Sequence, residues 1–151
     1  MNIVSAGISY VNVLAELHTE GFDAPWSASA FESALASPGT YALIAKDEQD
    51  EPLGFVLIRT VADEAEILTI LTRPNARRSG VARGLMVEAS KQASRHHVKK
   101  MFLEVAVDNP AAHGLYTDLG FKEVGRRKAY YDRGDGGRVD AVVMTLELWS
   151  F

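Results

Sequence analysis

The chain contains no cysteine. Disulfides, thiolate metal sites and a cysteine nucleophile are therefore excluded, and a reducing compartment is mildly favoured. Long apolar runs are absent too, and the opening MNIVSAGISYVNVLAELH carries no basic cluster. Neither a signal peptide nor a transmembrane helix is expected, which makes the cytoplasm the default and leaves no membrane partner. The G-x-x-x-x-G-K-[ST] phosphate loop, the G-x-G-x-x-G dinucleotide turn and the G-x-S-x-G nucleophile elbow are all missing. His96 and His97 are adjacent while His18 and His113 stand alone, so no metal-ligand spacing exists and no metal is expected. What remains is a chain of 151 residues, 47% hydrophobic and 24% charged, the profile of a single globular domain over 1–151.

Charge is present but unevenly placed. The net value is −4, yet residues 1–66 hold eleven acids against two bases, and residues 73–100 hold eight bases against one acid, Glu88. An acidic protein with one concentrated basic segment reads as the holder of a compact anion rather than as a nucleic-acid binder. A solvated helix face would carry the same charges.

The pattern of apolar residues supplies the elements. YVNVLAELHTEGF and SASAFESALASPG read as helices, the second capped by Ser27 or Ser29 and stopped by Pro38-Gly39. TYALIAK and PLGFVLIRT read as a hairpin around DEQDE, and AEILTILT as a third strand. VARGLMVEASKQASRHH is helical, with Val81, Leu85 and Ala89 on one stripe and Gly84 costing about 1 kcal/mol against alanine. MFLEVAV reads as a strand covered on both faces, broken only by Glu104. DNPAAHGLYTDLGF is a helix capped by Asp108 or Asn109 and closed by Gly120. Two strands finish the chain, FKEVGRRKAYY and VDAVVMTLELW, around a mobile DRGDGGR loop. Adjacent strands combined with β-α-β crossovers predict an α/β (α+β) fold, a mixed sheet with helices on both faces.

The sharpest chemical signal is RRSGVARG, residues 77–84. A strand, a glycine turn and a helix start present free N–H groups and partial positive charge to an anion, and Arg77, Arg78 and Arg83 add full charges.

RRSGVA fits the R/Q-x-x-G-x-G/A motif and resembles the coenzyme A loop of the GNAT N-acetyltransferase superfamily. The order of ILTILTRPNARRSGVARGL and LEVAVDNPAAHGLYTDLGF is similar to that family's cofactor strand, loop and downstream helix. APWSASAFESAL, LEV, N-x-A-A-x-x-L-Y-x-x-L-G-F and YY resemble its ribosomal-protein-alanine N-acetyltransferase (RimI-type) branch. The likeness runs from about Pro25 to Glu147. It implies a GNAT-like mixed, mostly antiparallel sheet of about six to seven strands.

The resemblance further implies acetyl-CoA as co-substrate, no metal, and direct attack by an amine. The acceptor would be a protein or peptide N-terminus, that of a ribosomal protein in this branch, and the enzyme a monomer or weak dimer without direct nucleic-acid contact; the alternatives are a small amine or another protein N-terminus as acceptor, or a non-catalytic coenzyme A sensor domain. It implies Glu104 as general base, with Glu66 the rival, and Tyr116 as general acid. A solvent-facing or ion-paired glutamate and a core tyrosine are the plain alternatives. Apolar surroundings would raise the pKa of Glu104. Cofactor contacts fall on Ile70, Leu71 and Thr72 through their backbone, on Arg77, Arg78, Ser79, Gly80, Val81 and Ala82, and on Asn109, which as a helix cap already has a structural use. Trp26, Tyr130 and Tyr131 would line the acceptor groove. The sequence departs from the pattern at Ser79, where a base is common, at Ala82, where glycine is usual, and at Arg73, where aspartate is frequent.

Overall fold

The structure is a computed structural model that describes residues 1–134 and 137–148. Asp135 and Gly136 of the expected mobile loop, and Trp149 of the expected last strand, lie outside the described residues. The elements are β1 (Asn2–Ala6), α1 (Val11–Thr19), α2 (Ala28–Ala36), β2 (Thr40–Lys46), β3 (Pro52–Val61), β4 (Glu64–Thr72), α3 (Val81–Arg95), β5 (Lys100–Ala106), α4 (Pro110–Asp118), β6 (Lys122–Asp132) and β7 (Arg138–Glu147). They form one sheet of seven strands in the order β1-β2-β3-β4-β5-β7-β6. Every neighbouring pair is antiparallel except β4 and β5. The expected mixed, mostly antiparallel sheet with helices on both faces is present.

Strand alternation sorts the core into two layers. Leu43, Ala45, Val56, Ile58, Ala65 and Ile67 face α3 and α4, meeting Val81, Leu85, Met86, Ala89 and Tyr116. Ala42, Ile44, Phe55, Leu57 and Leu71 face α1 and α2, meeting Leu14, Leu17 and Phe31. The short polar side chains act as punctuation. The Ser27 hydroxyl accepts from Ala30 N at 3.1 Å and starts α2. Asp47 Oδ1 accepts from Gln49 N and Glu51 N at 2.9 and 3.0 Å, fixing the β2–β3 turn. Asn109 starts α4, and Gly120 closes it at φ 101°. Among the described residues no helix is long and apolar enough to cross a membrane.

Two readings of the sequence are corrected. The opening residues form β1, which the run of mixed small and apolar residues concealed. A Cβ on Gly84 would lie 2.6 Å from Met1 Cε and 3.5 Å from Ile3 Cδ1, so the glycine in α3 makes room for β1. The strand β5 is covered on one face only. Met101, Leu103 and Val105 are buried, while Phe102 and Glu104 are partly exposed on the other face.

Beneath α1, His18 is 2% exposed and sits among Phe22, Trp26 and Phe31, stacked on Phe22 at 4.0 Å. Burial lowers its pKa from 6.5 to about 4. The unfolded chain therefore binds this proton more readily, so stability is complete above about pH 6.5 and falls as pH drops towards 4. Between pH 7 and pH 5 the wild type is expected to lose roughly 2 kcal/mol more than His18→Gln in urea titrations. Equal losses would remove His18 as the source.

Candidate active site

Parallel pairing of β4 with β5 covers only Glu64↔Lys100, Ala65↔Met101 and Glu66↔Phe102. Beyond those pairs β4 runs on to Thr72 and β5 to Ala106, each still paired on its outer side with β3 and β7. The two strands diverge, and the inner edge of β4 from Ile67 to Thr72 has no strand partner among the described residues. Residue Leu68 drops out of register between Leu57↔Thr69 and Ile58↔Ile67, a bulge that bends β4 where the gap opens. From Ile67 to Thr72 this open edge spans about 16 Å.

One end of the gap leads to the anion cradle. After Thr72 the chain turns through Pro74–Ala76 and enters α3 at Gly80, whose φ of 82° is left-handed. No side chain caps α3 and no acid lies in its first turn, which leaves its N–H groups available to an anion. Arg78, at φ 65°, has no ion-pair partner among the described residues. Arg77 Nε reaches Thr72 O at 3.5 Å, and the Ser79 hydroxyl donates to Ala76 O. A Cβ on Gly80 would meet nothing within 4 Å. Val81 is 2% exposed and belongs to the core, so only its N–H can serve a ligand. The Thr72 hydroxyl is buried without a partner beside the same loop. Open edge, uncapped helix, unpaired arginine and orphaned hydroxyl together fit a long phosphorylated ligand laid along β4.

Two other bases of this segment are spoken for. Arg83 pairs with Asp118 at 3.7 Å. Arg73 pairs with Glu20 at 3.2 Å, each about a third exposed, which accounts for an arginine at that position.

The other end of the gap is a cleft of about 240 Å³ on the α1/α2 face, lined by Arg59, Glu64, Glu66, Phe102, Glu104 and Arg127 among others. Four of its five charged side chains pair across strands. Arg127 Nε lies 2.7 Å from Glu104 Oε1, and Arg59 Nη2 lies 2.8 Å from Glu66 Oε2. The Glu104 side chain is 16% exposed and that of Glu66 is 45% exposed. The expected apolar setting of Glu104 is thus replaced by an arginine partner. Of the many acids in residues 1–66, only Glu64 and Glu66 line this cleft.

Tyrosines gather behind Glu104. In β6 the register jumps from Arg127↔Ala141 to Tyr131↔Val139, with Ala129 at φ 51° and its N–H donating to Asp140 Oδ1 at 2.8 Å. This bulge turns Tyr131 toward β5, where its hydroxyl donates to Glu104 O at 3.0 Å. Tyr130 is 46% exposed, and its ring lies 5.2 Å from the Arg127 guanidinium. Partial desolvation, then the Glu104 carboxylate, holds its pKa above the usual value. Burial, then Glu104, pushes Tyr131 to about 12. Tyr116 in α4 is 6% exposed, packed edge-on to Phe121, and burial followed by Tyr131 pushes it to about 12. Both keep their protons at neutral pH.

The structure therefore brings together Glu104, Tyr116, Tyr130 and Tyr131 at one side of the gap, and Ile70–Thr72 with Arg77–Ala82 along the other. Asn109 caps α4 at the β5 end, accepting from Ala112 N at 3.2 Å. Trp26 does not line the cleft; it packs half-buried on Phe31 at 5.2 Å. Sequence reasoning missed Arg127 and Arg59. The strand pattern alone could have placed Arg59 opposite Glu66, their observed register.

Residues 11–121 match the Acetyltransferase (GNAT) family. The chain is 31% identical over 138 residues to the [ribosomal protein bS18]-alanine N-acetyltransferase of Haemophilus ducreyi, covering 91% of this chain and 93% of that one. It is 32% identical over 124 residues to the protein of the same name from Escherichia coli K12, covering 82% of each. The crystal structure of the ribosomal-protein-S18-alanine N-acetyltransferase from Escherichia coli superposes with a TM-score of 0.90 at 28% identity, covering 97% of this chain and 93% of that one.

Gly54 of β3 holds the open edge in place from behind. A Cβ there would lie 2.4 Å from Leu71 O and 3.1 Å from Thr72 Cα. Gly54→Ala must push the β4 backbone, with an expected loss of about 1–3 kcal/mol in unfolding and about tenfold weaker coenzyme A binding by calorimetry. Unchanged affinity would show that this stretch of β4 is not the ligand edge.

Proposed function

The chain belongs to the acetyltransferase (GNAT) family and is an N-acetyltransferase, and from that premise we propose that it acetylates the N-terminal amine of a protein, an alanine-leading ribosomal-protein N-terminus, in the cytoplasm. The relatives named for that activity support the acceptor class. The observation that carries the reading is the gap between β4 and β5, with an anion cradle at one end and a carboxylate backed by tyrosines at the other.

Acetyl-CoA, when bound, supplies the acetyl thioester. The N–H groups of Val81 and Ala82, with Arg77, Arg78, Ser79 and Gly80, hold its phosphates. The open backbone of Ile70, Leu71 and Thr72 pairs with its arm and offers a donor where charge develops on the carbonyl oxygen. Asn109 contacts it from the β5 side.

Glu104 takes the proton from the incoming ammonium, and its placement favours it over the more exposed Glu66. Arg127 holds Glu104 through Oε1, so the incoming ammonium shares the carboxylate with it or displaces it. Tyr116 donates to the departing sulfur. Its pKa of about 12 exceeds the ~8.5 of an ordinary thiol, so it serves first as a hydrogen-bond donor that steadies the thiolate. Tyr130 and Tyr131 flank the acceptor, and Trp26 supports the connection behind it through its contact with His18.

Coenzyme A release is the readout, with acetyl-CoA and a panel of alanine-leading basic peptides, other N-terminal peptides and small amines. Turnover confined to the alanine-leading peptide is expected, and preference for a small amine would overturn the acceptor assignment. Glu104→Gln is expected to lower turnover by about 10²–10⁴-fold, and near-normal rates would transfer the role to Glu66. Arg78→Ala is expected to weaken coenzyme A binding by about tenfold with little change in kcat, the signature of lost uniform binding.

A further inference from the structure

An open strand edge needs support from elsewhere, and β4 receives it from the end of α1. Three contacts follow β4 at every second residue, the period that keeps side chains on one face. His18 Nε2 lies 3.1 Å from Thr69 Oγ1, both buried. The Leu71 side chain packs on Gly21, where a Cβ would lie only 2.2 Å from Leu71 Cδ1. Arg73 pairs with Glu20. On its other side the His18 ring takes a hydrogen bond from Trp26, whose backbone N donates to Nδ1 at 2.9 Å. That bond fixes the tautomer. Nδ1 accepts, so Nε2 carries the proton and donates to the Thr69 hydroxyl.

The ring thus joins two backbones in series. One joint holds β4 at the bulge beside Leu68. The other holds the α1–α2 connection at Trp26. The same connection carries Asp23, close enough to act electrostatically on Arg133, itself paired with Asp108 at 3.0 Å. The α1–α2 connection thus comes within electrostatic range of Arg133, beyond the end of β5, while it is tied to β4 through His18.

We propose that His18 is a positioning residue that sets the distance between the acceptor-side connection and the open edge of β4, and so aligns the two substrates. It touches neither of them. The proposal rests on the acceptor reading above.

His18→Gln reaches Thr69 and releases Trp26, whereas Thr69→Val releases the β4 joint. Each is expected to raise the KM for the alanine-leading peptide by about tenfold and the KM for acetyl-CoA by a smaller factor, about threefold, because the edge that the brace steadies also carries the cofactor arm. Because the joints act in series, the double variant is expected to match either single one rather than multiply them. Normal peptide KM in folded single variants, or multiplying effects, would overturn the proposal. Amide hydrogen exchange reads the same brace without an acceptor. Faster exchange at Trp26 in His18→Gln and at Ile70–Thr72 in Thr69→Val is expected, and unchanged exchange would overturn the brace whatever the acceptor proves to be. A wild type that turns over no N-terminal peptide, yet shows the expected exchange, would remove the acceptor reading and leave the brace standing.

Discussion

Everything at the site depends on one interruption in the sheet: β4 and β5 pair over three residues and then part. Buried peptide groups demand partners, and an exposed strand edge invites any extended chain to supply them. Here the edge is neither blunted by charge nor capped by a loop. It faces an internal gap, in the place that a neighbouring strand would otherwise fill. The parallel direction of β4 and β5 follows from the crossover through α3. The same crossover puts the uncapped helix start at the end of the gap, so one connection sets both the gap and the partial positive charge beside it.

Each layer of the fold then has a separate task around that gap. The α3/α4 side closes it with core residues, including the Tyr116 ring. The α1/α2 side braces β4 through His18, Gly21 and Glu20. The outer pair, β7 and β6, brings the bulge that carries Tyr130 and Tyr131. Charge is divided as sharply. Arg73 and Arg83 serve the fold by pairing with Glu20 and Asp118, which leaves Arg77 and Arg78 to the cradle.

What can be read from the sequence is what local rules govern. Gly80, Asn109, Pro110 and Gly120 mark helix ends through their own backbone needs, so α3, α4 and the cradle are legible in the chain itself. The hairpin around Asp47 follows from the same turn chemistry. What escapes reading depends on distant partners. The strand β1 is short and gains its place only by pairing with β2 and packing over Gly84. Glu104 reads as an acid in an apolar strand because nothing local announces Arg127, which arrives from β6 by way of β7 and a broken register. Arg73 has no visible reason in the sequence because Glu20 is far away in the chain.

The Arg127–Glu104 pair also means that the cleft carries its own counter-ion. A carboxylate held at 2.7 Å by a guanidinium of the same chain already has its cation. A visiting cation therefore enters by exchange with Arg127 rather than by filling a vacancy, and charge alone gives it little advantage there.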